Sequence, residues 1–135
     1  MTTRVALVCS GLGNVRRGYE AFAQGLFDAL SEEPSLDVWL FKGAGERTNR
    51  QIPLPHLRRS GFPARLIGEL LRRGPYVMEQ ATLTLSLLPY FQTVRPEVVY
   101  YCDPSVGRLL WQWRTLTHAG YRLIMHNGGP HPPPF

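Results

Sequence analysis

"VALVCSGLGNVRRGYEAFAQGLFDAL", Val5 to Leu30, reads as an apolar strand, a turn with three glycines and two arginines, and an amphipathic helix. The run "RVALVC", Arg4 to Cys9, is continuous and rich in β-branched residues, which predicts a strand buried on both faces. From Gly18 to Leu30, Phe22, Leu26, Ala29 and Leu30 recur at helical spacing, with Asp28 and Glu32 on other faces. Glu20 falls in the first turn of that helix, where a negative charge complements the dipole. A second strand follows at "LDVWLF", Leu36 to Phe41. Strand, helix and strand in so short a span make a βαβ unit, whose crossover is right-handed and whose strands are parallel.

Outward from this unit the alternation continues. "KGAGERTNRQIPLPHLRRSGFP", Lys42 to Pro63, is polar and rich in Gly, Pro and Arg, and reads as a long loop of the functional or mobile kind. A short helix is expected over Ala64 to Arg73, "ARLIGELLRR", stopped by Gly74-Pro75. A longer one is expected over Tyr76 to Thr93, kinked at Pro89. "EVVYYC", Glu97 to Cys102, is a third strand, followed by "DPSVG" and a helix over Ser105 to His118. "YRLIMH", Tyr121 to His126, is the last strand, and no internal repeat is evident. The pattern predicts an α/β fold, a Rossmann-like doubly wound parallel sheet in which Cys9 and Cys102 end neighbouring strands. The Gly- and Pro-rich tail "NGGPHPPPF" follows a strand with no helix after it, so the chain reads as a fragment of a longer protein.

Composition narrows the function. The chain has 135 residues, the size of one domain, and its hydrophobic fraction of 44% suffices for a core. Net charge is +5, and Lys42 is the only lysine. Arginine's planar fork suits phosphate and carboxylate, so an anionic ligand or surface is one reading and a solvated basic exterior the other. Charge alone does not argue for nucleic acid. Cys9 and Cys102 form no disulfide framework, and no spacing suits a metal site. The N-terminal apolar run is too short for a secretion signal, and no stretch approaches the roughly 18 to 20 apolar residues of a membrane span. A soluble, cytoplasmic protein is expected.

In doubly wound sheets ligands bind beyond the carboxyl ends of the strands, and the glycine turn, "DPSVG" and "HNGG" all fall on that edge. A dinucleotide fingerprint, G-x-G-x-x-G, is met at Gly11 and Gly13, but Arg16 occupies the third position. Lys42, not an acid, follows the second strand, so NAD fits poorly and an NADP variant survives as an alternative. A P-loop fails because Tyr19 and Glu20 follow Gly18. What remains is a glycine loop opening onto a helix N-terminus beside Arg16 and Arg17, an arrangement suited to phosphate.

The stretch "ALVCSGLGNVRRGYEAFAQGLFDAL" with "LDVWLF" resembles the amino-terminal domain of glycosyltransferase family 4, the GT-B enzymes of the group 1 type. Gly18-Tyr19-Glu20 matches the last three positions of the G-G-x-E found in many members, with Arg17 in place of the first glycine. "RLIMHNGG" looks like the element that carries a histidine at a strand end, which would make His126 the match. The resemblance covers Arg4 to about Pro130, most loosely in the middle loop. It implies one half of a GT-B fold, the acceptor-side domain, with the donor-binding carboxy-terminal domain and its E-x7-E element lying outside residues 1–135. It further implies metal-independent transfer, with retention, of a hexose from a nucleotide diphosphate sugar to a hydroxyl acceptor, and no other cofactor.

By that resemblance Gly18 and its neighbours would approach the donor diphosphate or the acceptor, and His126 would sit at the acceptor or near the transferred sugar. With the loop's own phosphate character, the expected substrate- and phosphate-binding set is Gly13, Arg16, Arg17, Gly18, Glu20, Asp103, Asn127 and Gly128. Asp103 stands where some relatives carry a histidine, so no role carries over. Its position allows contact with acceptor hydroxyls, or capping of the next helix by Asp103 or Ser105. Leu110, Trp111 and Trp113 are expected to pack rather than stack on a ligand. The helix at Ala64 to Arg73 is expected to cover the sheet or line the acceptor cleft. A second reading lays it on an anionic membrane, which would make the protein a peripheral binding module.

Overall fold

The computed structural model describes residues 2–9, 18–54 and 75–126, with backbone alone at 18–20 and 75–80. β1 is Thr3–Cys9, α1 Gly18–Ser31, β2 Leu36–Lys42 and β3 Gln51–Pro53. α2 is Pro75–Val94, β4 Val98–Tyr101, α3 Pro104–Thr117 and β5 Arg122–Met125. The strands form one parallel sheet in the order β3-β2-β1-β4-β5. It is a Rossmann-like α/β fold, with helices on both faces.

The side-chain alternation of each strand assigns the faces. Val5 and Leu7 of β1 and Val38 and Leu40 of β2 pack with Phe27 of α1. Ala6 and Val8, Phe41, Val99 and Tyr101 point the other way, onto Leu83, Leu87 and Phe91 of α2 and Val106 and Leu110 of α3. β1 lies between β2 and β4 with both faces covered, which is why its residues form an apolar run and not an alternation.

Two expectations need correction. The long loop after β2 contains a strand: Gln51–Pro53 pairs with Leu40, Phe41 and Lys42, and Leu54 donates its N–H to the Lys42 carbonyl. Three residues carry no periodicity, and only the ladder with β2 makes them a strand. α2 carries Pro89 inside it. Trp111 is 38% exposed and so is not core, whereas Leu110 on the same helix is fully buried. The helix expected at Ala64 to Arg73 lies outside the described residues.

The α3–sheet contact depends on one small residue. A β-carbon on Gly107 would overlap the ring of the fully buried Tyr101. Glycine therefore lets the helix backbone settle onto the ring. Tyr121, just before β5, donates its hydroxyl hydrogen to the Leu110 carbonyl and ties the same helix to the sheet's edge.

Candidate functional site

Register brings the chemistry together. Cys9 of β1 pairs with Lys42 of β2. Val8 pairs with Tyr101 and Tyr101 with Met125, so one residue further on Cys9, Cys102 and His126 stand level. The His126 N–H donates to the Tyr101 carbonyl at 2.8 Å, which carries the ladder one step past the last strand residue. Lys42, Cys9, Cys102 and His126 thus form one row across the carboxyl edge. At the usual strand spacing its ends lie about 14 Å apart.

All four side chains belong to the α1 face. Lys42 shares strand parity with Val38 and Leu40, Cys9 with Val5 and Leu7, and Cys102 with Val98 and Tyr100. Cys9 and Cys102 pack with Ala23 of α1. The imidazole of His126 stacks on Phe22, with ring centroids 4.5 Å apart and planes 20° apart. Tyr100 completes this cluster, its ring 6.2 Å from His126 and 6.5 Å from Phe22. Burial, with the neighbouring Cys102, raises the Tyr100 phenol above its usual range.

Two helices begin at this edge, α1 at Gly18 and α3 at Pro104. Their N–H ends and the Lys42 ammonium make the rim favourable to anions. α3 has no acidic residue in its first turn to offset this. Asp103 sits at the N-cap position with extended backbone (φ −97°, ψ 121°), and its carbonyl accepts from the Gly107 N–H at 3.1 Å. Its side chain makes no capping hydrogen bond, so the carboxylate does not have the capping role that the "DPS" sequence suggested. It is 5% exposed.

Of the residues singled out in the sequence, His126 and Asp103 are thus placed at the rim, and Gly18 and Glu20 lie in the first turn of α1. Gly13, Arg16, Arg17, Asn127 and Gly128 lie outside the described residues. Sequence reading treated Lys42 only as the wrong residue for NAD. The structure puts it inside β2 and buries it, 6% exposed, with its Nζ donating to Gln51 Oε1 at 3.1 Å. Its one available signal was its place at the end of an apolar strand.

The two cysteines were read as neighbours in the sheet, and they are; both are buried and neither is in a disulfide. Among the described residues no three His, Cys, Asp or Glu side chains cluster as metal ligands would. No helix among them is long and apolar enough to cross a membrane.

A hollow of about 700 Å³ opens at the opposite, amino edge, lined in part by Arg4, Arg95, Glu97, Trp113 and Tyr121. The Glu97 carboxylate already accepts from the Arg4 N–H at 2.9 Å there. α2 and α3 both end at this edge, presenting carbonyls that disfavour an anion. It is therefore less suited than the rim to a phosphate.

With this geometry the chain is similar in fold to a solved structure, sucrose-phosphate synthase from Thermosynechococcus elongatus. The TM-score is 0.64 and sequence identity is 14%, over 91% of this chain and 32% of that one. The chain therefore spans about a third of the length of that enzyme. No family profile matches the chain, and no curated protein matches it in sequence.

Proposed function

We propose that this chain is the acceptor-side, amino-terminal half of a GT-B glycosyltransferase of family 4, working with a covalently linked donor-binding domain. The complete enzyme would transfer a hexose from a nucleotide diphosphate sugar to a hydroxyl acceptor (a glycan, a lipid or a small molecule) with retention. Its fold likeness to a GT-B enzyme over nearly the whole chain supports this reading. The observation that carries it is the stacking of His126 on Phe22, which sets the strand-end histidine against the opening turns of the helix that begins at Gly18.

In this reading the bond from the anomeric carbon to the diphosphate breaks, and a bond to the acceptor oxygen forms. The departing diphosphate carries the negative charge away. Backbone amides from Gly13 to Gly18, with the Arg16 and Arg17 guanidiniums, would hold that charge. His126 would hydrogen-bond the acceptor hydroxyl and take up its proton as the new bond forms. Glu20, Asp103, Asn127 and Gly128 would bound the pocket.

Titration of the 135-residue chain with uridine diphosphate and, separately, with NADPH tests the assignment. Binding of uridine diphosphate that falls about tenfold on joint substitution of Arg16 and Arg17 by alanine is expected. Micromolar binding of NADPH with silence toward uridine diphosphate would replace the transferase by the NADP-binding alternative.

A further inference from the structure

We infer that Lys42 is a phosphoryl-binding residue, a second anion site on the rim in addition to the glycine turn. The inference deepens the transferase reading but stands on separate observations. Lys42 is the only lysine of the chain and is 6% exposed, yet among the described residues its ammonium has a single hydrogen bond, to the neutral amide oxygen of Gln51. Among the described residues no carboxylate pairs with it, whereas Arg50 pairs with Asp37 at 3.1 Å. A buried ammonium that finds no counter-charge and leaves two N–H donors unused among the described residues is a costly arrangement, which a bound anion relieves.

The surroundings fit that ligand. Lys42 closes β2 at the carboxyl edge, level with Cys9. In Rossmann-like sheets the end of the second strand is where the far part of a nucleotide is read, and a cation there suits a phosphoryl group in place of a ribose hydroxyl. The chain then turns back over the amine. Gly45 has φ +106°, and a β-carbon on it would stand 3.3 Å from the Lys42 Nζ. A compact ammonium with two directed donors left suits the oxygens of a single phosphoryl group.

Because Lys42 is the only ε-amine, acetylation with sulfosuccinimidyl acetate reports on it directly in the unmodified chain, read by mass spectrometry of its peptide. Inorganic pyrophosphate should slow that acetylation, and Lys42→Met should weaken pyrophosphate binding about tenfold while Lys42→Arg retains it. An acetylation rate indifferent to pyrophosphate overturns the assignment, as does equal protection by malonate, which would make the site a general anion site. Uridine diphosphate and adenosine 2′,5′-bisphosphate distinguish the two sources of phosphate. Protection by the first supports the site as part of a sugar-nucleotide pocket. Protection by the second alone supports the Lys42 site and removes the transferase reading.

Discussion

The His126 imidazole lies nearly parallel to the Phe22 ring, 4.5 Å away, so the end of β5 and the second turn of α1 share one surface. Phe22 is 44% exposed, unusual for a large aromatic that is not held by a core. What it supports is the orientation of the imidazole. Phe22→Ala should cost about 1 kcal/mol of stability, the order of one aromatic pair. The same change should shift the His126 ring proton resonances, which an NMR spectrum reads directly. Unshifted His126 resonances would mean that the two rings do not stack.

Gly107 should tolerate no side chain. Gly107→Ala forces a β-carbon into the Tyr101 ring and should destabilise by roughly 1 to 3 kcal/mol or more, measured by denaturant unfolding. Pairing it with Tyr101→Leu should recover part of that loss, a coupling that two independent sites would not show.

Alkaline pH should unfold the protein through its buried phenols. Burial pushes Tyr101 and Tyr121 up to about 12 from 10. Between those values the unfolded chain has released protons that the native state still holds. The stability they contribute is therefore complete below about pH 10 and is lost as the pH rises toward 12. Phenolate absorbance should appear in two stages, with the late stage coinciding with loss of helical circular dichroism. A single early stage would contradict this.

Arg50 should matter more than its ion pair. It bonds Asp37 at 3.1 Å in a largely solvated setting, and its guanidinium lies 4.2 Å above the Trp39 ring. Asp37→Asn should cost about 0.2 to 1 kcal/mol. Arg50→Ala should cost more, because it also uncovers the indole. Melting temperatures of the two variants in low and high salt decide this, since only the Asp37 contribution should fade with salt.

Much of the fold was legible locally. The continuous run at Arg4 to Cys9 and the 3.6-residue spacing from Phe22 to Leu30 gave β1 and α1 to within a residue or two. β4, α3 and β5 emerged from the same kind of signal. Sequence alone also put a glycine turn, an Asp-Pro turn and a histidine at the carboxyl ends of strands, because alternation of strand and helix in a parallel sheet fixes which end each turn occupies. β3 was not legible, since Gln51–Pro53 is a strand only by virtue of its ladder to β2.

Periodicity within a segment tells which face of that segment is apolar, and so the sequence determined the elements and their inward faces. It could not tell that Lys42, Cys9, Cys102 and His126 stand level, because they lie at the ends of four strands separated by long stretches of chain. Register between such strands is set by the packing of the whole sheet against α1, α2 and α3. The same packing decided that the single lysine is buried and that Asp103 does not cap its helix. Burial and hydrogen-bond partners are properties of neighbours in space, and only the tertiary structure supplies those neighbours.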